Sequence, residues 1–548
     1  MIGFKGRDAR PVRPRAWMTI PLLGLGLMLG AHSMHASSPR VPDYLILGGE
    51  LGNSSASSKE DIQSIFPRLK DMGLNTVLMP VYWELTEPTE GNFDFSLLDE
   101  ALSTARENDL KLVLLWFGAW KNSMSCYAPG WVKTDVRRFP RAVTEEGKPL
   151  EILSSFSDNV LQADLNAFNA MLDHLKKYDQ EGTVSMIQIE NEIGMLESPR
   201  DHSKLADKEY AKGVPNELAS EIGVKPGSSW KETAADPDYA DEMFMAWNYA
   251  RYVEHLAKAA KEKLPDTPLY VNAALDSRGR RPGQYPSAGP IARLGGIWKK
   301  GAPSIDFISP DLYDPPFAPW FLQYDFPGNP LFIPEIRRSS DSGTHAFYAI
   351  GQHNALGFSP FSIENASPQE AARLKEAYSL LKKLEPYCND RYESYGLLFD
   401  SDNAKESKIM DIDGMKTVAS HFFTLPWDSR ATDGSRWPDG GGMVIKLDKD
   451  EYLIAGTGIV VKWESLDENA DEKKLGEDGF LLSGEEGKSS EWKGRQRIGI
   501  LSCDEVDINP DGSFRVIRRL NGDETHQGRH VRIGVDDYKA LHVKLYRY

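Results

Sequence analysis

Residues 184–194 read VSMIQIENEIG, and the rest of the chain is interpreted outward from them. Val184, Met186 and Gln188 alternate with Ser185, Ile187 and Ile189, the two-residue period of a strand. On that period Ile187 and Ile189 face one way, and Gln188, Glu190 and Glu192 face the other. A strand with an apolar outer face and a polar inner face suits the wall of a barrel whose inside leads to a site. Ionised carboxylates at such a place cost desolvation energy unless they are paired or used. Strict alternation sends Asn191 outward, so a strand end or bulge is expected there. A second run, Leu331–Arg338 (LFIPEIRR), is another short apolar stretch carrying a single carboxylate, Glu335.

Strand-like and helix-like segments alternate on both sides of this stretch. The strands are Tyr44–Leu51, Asn75–Trp83, Lys111–Trp120, the quoted fourth, Leu269–Ala274, Ile305–Tyr313, Leu331–Glu335 and Phe358–Glu364. Ser58–Met72 is amphipathic, with Ile62, Ile65, Phe66 and Leu69 on one face and Ser58 as N-cap. Helical patterns also fill Leu97–Glu107, Leu161–Lys177, Ala240–Leu264 and Gln369–Leu384. Eight strand–helix units predict a (β/α)8 barrel over residues 40–388. The competing doubly wound sheet lacks a glycine-rich dinucleotide turn after its first strand. Residues 194–238 form a long polar insertion after the fourth strand, placed to shape a subsite.

Beyond residue 388 the pattern changes. Gly440–Trp463 holds two β-rich runs around an LDKDE turn, and Arg515–Arg519, Gly528–Gly534 and Ala540–Tyr548 add short strands. An all-β sandwich is expected over residues 389–548, with 389–430 as its connecting region.

The 548 residues are 41% hydrophobic and 26% charged, ordinary for a soluble globular protein. Five Lys and Arg side chains precede the apolar run Ala16–Gly30, which small residues follow. This is the pattern of a signal peptide over residues 1–36, and the run is short for a bilayer span. Its removal takes away five basic residues and Asp8, moving the formal charge from −17 to −21. Export to the periplasm or the medium is expected, with no membrane span in the mature chain. The acidic balance argues against nucleic acid and anionic membranes as partners. Cys126, Cys388 and Cys503 show no pairing pattern, and neither CxxC nor HExxH occurs. His526 and His530 flank a QGR turn that reads as a solvated hairpin rather than a metal site.

In a barrel of this kind the site lies where the strands end. Those ends carry Glu50, Trp83-Glu84, Trp116, Trp120-Lys121-Asn122, Asn191-Glu192, Tyr313, Glu335 and Glu364. Aromatic faces stack on the C–H faces of sugar rings, while carboxylates and amides bind hydroxyls. Two strands that each deliver one glutamate have the equipment for glycoside hydrolysis, which uses a proton donor and a second carboxylate. Carboxyl neighbours and burial raise the pKa of such a donor.

At this point the residues resemble a known family. QIENEIG is similar to the acid/base strand of family 35 glycoside hydrolases, β-galactosidases among the retaining clan A barrels. GLNTVLMPVYWELTEPTEGNFDF resembles that family's second-strand segment, and FIPEIRR its nucleophile strand. NGDETHQGRHVRIG and the final VKLYRY resemble the uncharacterised β-domain of one bacterial branch. The resemblance implies Glu192 as acid/base, Glu335 as nucleophile and Asn191 as a sugar ligand, with carboxyl groups about 5–5.5 Å apart. Tyr313 stands where clan members hydrogen-bond the nucleophile. Glu84 replaces the usual Asn after the second-strand Trp, and Lys121-Asn122 replace an Ala-Glu pair. With Glu50 and Trp120, these positions are expected to contact sugar. The resemblance implies a retaining exo-β-galactosidase acting on xyloglucan fragments or galactans and needing no cofactor. An arabinopyranosidase and a non-catalytic sugar binder on the same scaffold are the alternatives.

Overall fold

The runs of Val, Ile, Leu and aromatic residues at the predicted strand positions bury both of their faces, as strands of a parallel sheet covered by helices must. The computed structural model describes residues 39–389, 391–465 and 497–548. The leader over residues 1–36 falls outside the described residues.

Eight parallel strands close into a barrel: β1 (Ile46–Glu50), β2 (Thr76–Tyr82), β3 (Lys111–Lys121), β4 (Val184–Asn191), β5 (Leu269–Ala274), β6 (Phe307–Leu312), β7 (Ile333–Ile336) and β8 (Gly357–Pro360). Neighbouring strands pair in chain order, and β8 returns to β1. One principal helix follows each strand: α1 (Lys59–Asp71), α2 (Ser96–Glu107), α3 (Asp158–Tyr178), α4 (Pro237–Lys263), α5 (Gly295–Gly301), α6 (Ala318–Tyr324), α7 (Ser342–His353) and α8 (Pro368–Leu384). Ser58 caps α1 by accepting from the Asp61 N–H, and Ile62, Ile65, Phe66 and Leu69 form its buried face.

The loop before α3 contains a two-stranded hairpin, Arg141–Val143 with Pro149–Leu153, which the sequence did not disclose. The insertion 194–238 is folded, with short helices at Lys204–Tyr210 and Asn216–Ala219. Trp230 anchors it, buried edge-on to Phe244 of α4 at 5.4 Å.

The C-terminal region builds two antiparallel sheets from β9 (Glu393–Phe399), β10 (Ser407–Ile412), β11 (Met415–His421), β12 (Gly440–Asp448), β13 (Glu451–Thr457), β14 (Ile459–Ser465), β15 (Ile498–Ile508), β16 (Phe514–Arg519), β17 (Val531–Ile533) and β18 (Lys539–Arg547). One sheet runs β9-β12-β13-β18-β15-β16 and the other β10-β11-β14-β17. Leu397, Val444, Ile454 and Leu541 from the first meet Ile412, Met415, Val461 and Ile533 from the second in a shared core, which makes the pair a sandwich. This corrects one expectation: residues 389–430 are not a connection but supply three strands. β10 has six residues, of which Ser407, Ile409 and Asp411 are exposed and only Met410 and Ile412 buried, too weak a signal beside the polar turns around it.

α7 joins the two parts. It is buried nearly all round, because Thr344 packs under Gly441 of β12 while Gln352 packs under Gly396 of β9. A helix covered on two sides shows no apolar stripe, which is why no helical period is visible there in the sequence. His530 departs from the expected solvated hairpin: it is buried and stacks on His526 at 5.3 Å, with Trp427 at 5.8 Å. Cys126, Cys388 and Cys503 are all free thiols, and among the described residues no helix is long and apolar enough to cross a membrane.

Candidate active site

The end of β4 is where the two-residue period breaks. Trp116 of β3 pairs with Ile189, but the next paired residues are Lys121 and Asn191, so β3 carries three more residues than β4 across this interval. Glu190 and Glu192 take up the mismatch with left-handed backbones at φ +57° and +45°, a conformation that costs a non-glycine residue energy. The bulge expected at Asn191 is therefore present, and it reverses the expected facing of Glu190. That side chain points into the helix layer, accepting from the amides of Ala119 and Trp120 beside Asp164 of α3. Asn191 and Glu192 are released toward the strand ends.

Glu192 enters a buried polar cluster. Its backbone N–H donates to Asn272 Oδ1 on β5 (3.0 Å), and Asn272 Nδ2 donates to Asp311 Oδ2 on β6 (2.6 Å). Asn122 Nδ2 donates to Glu192 Oε2, and Lys121 Nζ stands 3.5 Å from the same oxygen. Across the barrel, Tyr313 Oη donates to Glu335 Oε1. Glu192, Asp311 and Glu335 each bring one carboxyl oxygen within 4.8 Å of the other two.

Burial sets the electrostatics. Desolvation, then the charge of Glu192, pushes the Glu335 carboxyl up to about 7, although Lys121, Tyr313 and Glu50 favour its ionised form. Burial and Glu335 hold Glu50 and Asp311 well above the usual carboxylate range. Burial opposes the charge on Lys121, but the carboxylates of Glu192, Glu335, Glu50 and Asp311 outweigh it. Three clustered carboxyl oxygens have the donor chemistry of a cation site, yet the Lys121 ammonium already provides the counter-charge beside Glu192. Glu50 and Glu335 face each other as a carboxyl pair, while among the described residues both polar atoms of Asn191 and Asp311 Oδ1 find no hydrogen-bond partner. Buried polar groups left this way are matched by a polar ligand rich in hydroxyls.

Of the residues named from sequence, Glu50, Lys121, Asn122, Asn191, Glu192, Tyr313 and Glu335 converge here. Two do not. Trp120 is fully buried on the helix side, donating to the Leu153 carbonyl and packing edge-on against Tyr249 and Tyr252 of α4. The same excess of residues on β3 that delivers Lys121 turns Trp120 away, so it is a packing residue rather than a sugar contact. Glu84 sits in the short helix Trp83–Thr86, partly exposed and 3.8 Å from Lys133, and makes no bond to the cluster. Trp116 likewise points outward to Asp164, and Glu364 braces the loop after β1 by accepting from Gly52 and Ser55. Asn272 and Asp311 belong to the cluster and were not singled out from sequence. Their signal was a polar residue inside an apolar strand, with Asp311 two positions before Tyr313 and so on the same face.

The family description "Glycosyl hydrolases family 35" matches residues 43–280, and "Domain of unknown function (DUF5597)" matches residues 374–532. Glu192 lies inside the first match and Glu335 beyond it. No curated protein matches the chain. Among solved structures, a cold-adapted β-galactosidase from Rahnella sp. R3 is 16% identical with a TM-score of 0.46, the match covering 64% of this chain and 58% of that one. A β-galactosidase from the psychrophilic Marinomonas ef1 is 13% identical with a TM-score of 0.45, covering 62% and 59%. The catalytic domain of a β-amylase from Paenibacillus polymyxa is 13% identical with a TM-score of 0.47, covering 63% and 99%. The chain thus spans less than three-fifths of the length of the two β-galactosidases.

Proposed function

We propose, from the premise that residues 43–280 belong to glycosyl hydrolases family 35, that the protein removes terminal β-galactose from oligosaccharides by double displacement. The observation that carries this reading is the pair of buried glutamates at the ends of β4 and β7, with one oxygen of each within 4.8 Å of the other. That spacing supports retention, since an inverting pair stands about 6.5–9.5 Å apart to admit a water.

In this reading Glu192 protonates the leaving oxygen while ionised Glu335 attacks C1. Tyr313 donates to Glu335, which favours the ionised nucleophile. In the second half-reaction Glu192 serves as base toward water, with the Lys121 ammonium 3.5 Å from its carboxylate. Asn191, Asn122 and Glu50 bind hydroxyls, Asn191 being placed next to the acid for the 2-OH. The departure at Lys121-Asn122 and the folded insertion 194–238 set the surroundings of the leaving group. Terminal galactose of xyloglucan fragments or galactans is the proposed substrate. Export is proposed from the basic and apolar pattern of residues 1–36.

The test is proton NMR of the sugar first released from an aryl β-galactoside. β-Galactose supports the two-glutamate double displacement, and α-galactose refutes it. Glu335→Gln is expected to lower turnover by at least about 10⁴-fold with an unchanged circular dichroism spectrum. Substantial residual activity would place the nucleophile elsewhere. Faster release from an aryl α-L-arabinopyranoside would replace the galactose assignment with its close relative.

A further inference from the structure

Glu190 and Asp164 play no part in this chemistry, yet they are two fully buried carboxyls directly behind the acid/base strand. Glu190 accepts from Ala119 N–H (3.2 Å) and Trp120 N–H (2.8 Å). Asp164 accepts from Trp116 Nε1 (2.8 Å) and from Tyr252 Oη (2.8 Å). None of these four donors is a cation. Two carboxylates that meet in such a place cannot both ionise, and burial together with Asp164 pushes Glu190 well above its usual range.

The pair's position joins two facts described above. The amides it binds belong to the extra residues of β3, and that excess ends at Lys121 and Asn122, the two side chains facing Glu192. Glu190 itself is one of the two left-handed residues that turn Asn191 and Glu192 toward the site. Gly118 shows how tightly the loop is drawn in: a Cβ there would stand 2.7 Å from both Glu190 Oε1 and Asp164 Oδ1.

We infer that the buried Glu190–Asp164 pair is a positioning element for the general acid, fixing Glu192 and its Lys121 and Asn122 partners from behind the strand. The inference rests on the reading of Glu192 as acid/base. It predicts a selective defect, because an acid matters only when the departing oxygen needs a proton.

The experiment compares kcat/KM for methyl β-galactoside and 2,4-dinitrophenyl β-galactoside, whose leaving group departs unprotonated. Their ratio does not depend on the fraction of protein folded. Glu190→Leu is expected to lower the methyl substrate's kcat/KM about 10²-fold, the cost of an acid displaced by about 1 Å, and the dinitrophenyl substrate's less than about 5-fold. Glu190→Gln, which can still accept from the Trp120 amide through Oε1 and donate to Asp164 through its NH2 while giving up the longer Ala119 bond, is expected within about 3-fold of wild type on both. Asp164→Asn, a milder change that serves where Glu190→Leu does not fold, is expected to move the ratio the same way by about 3–10-fold. An equal loss on both substrates, or no loss, would overturn the inference and leave the pair a packing feature. Glu192→Ala, run alongside, must show the full leaving-group dependence. Its absence would overturn the acid assignment itself.

Discussion

Lys121→Met removes the ammonium that faces Glu192, Glu335, Glu50 and Asp311 while largely filling its space. At the observed 3.5 Å from Glu192, an effective dielectric of about 20 gives a gross attraction of about 5 kcal/mol. Breaking a buried pair by deleting one partner costs about 3–5 kcal/mol. The variant can relieve part of this by taking up a proton, and that gives the effect its pH dependence. Glu335 sits at about 7, and Glu50 and Asp311 lie well above their usual range. The folded protein therefore binds more protons than the unfolded chain from about pH 4 upward, and the stability linked to these groups falls as pH rises. Without Lys121 the carboxyls move further up, so the decline steepens. Urea unfolding followed by tryptophan fluorescence should show a loss of about 3–5 kcal/mol at pH 8 and less than about 2 kcal/mol at pH 5. In kcat/KM for an aryl β-galactoside, the acidic limb, set by ionisation of Glu335, should shift to higher pH. An equal loss at both pH values, or wild-type stability at pH 8, would refute the assignment of Lys121 as the charge that offsets the repulsion within this carboxyl cluster.

Two further outcomes follow from the geometry. Asn191→Ala is expected to lower kcat/KM at least about 10²-fold with thermal stability unchanged or raised, because both of its polar atoms are buried without partners in the protein; a fall in the melting temperature would mean that Asn191 is structural. Gly118→Ala places a methyl group 2.2 Å from Trp116 Nε1 and is expected to cost at least about 1–3 kcal/mol in chemical denaturation, with a neutral result arguing against the drawn-in loop.

The barrel was legible because its strands are short apolar runs at regular intervals, and local pattern suffices to place them. β5 matches its expected bounds, and Ser58 caps α1 as read. The sandwich was legible in outline only: β10 and β15 are partly exposed and carry polar residues, so their patterns faded into the turns. α7 escaped notice because a helix buried on both sides loses its period.

Within the site, the sequence by itself determined which residues the strand ends would offer. Glu192, Glu335, Asn191 and Tyr313 follow from strand register, resemblance and the chemistry of carboxyl pairs. Tertiary structure alone decided which way several of them face. Glu190 and Glu192 share a face in any regular strand, yet the unequal lengths of β3 and β4 send one to the helix layer and the other to the site. Trp120 and Lys121, neighbours in one strand, must face opposite sides of the barrel wall, but which of them faces the site depended on the extra residues of β3. Asp164, Asn272 and Asp311 became meaningful only when α3, β5 and β6 were brought against β4. Side-chain direction at a bulge and the pairing of buried charges depend on contacts between distant segments, and no local period records them.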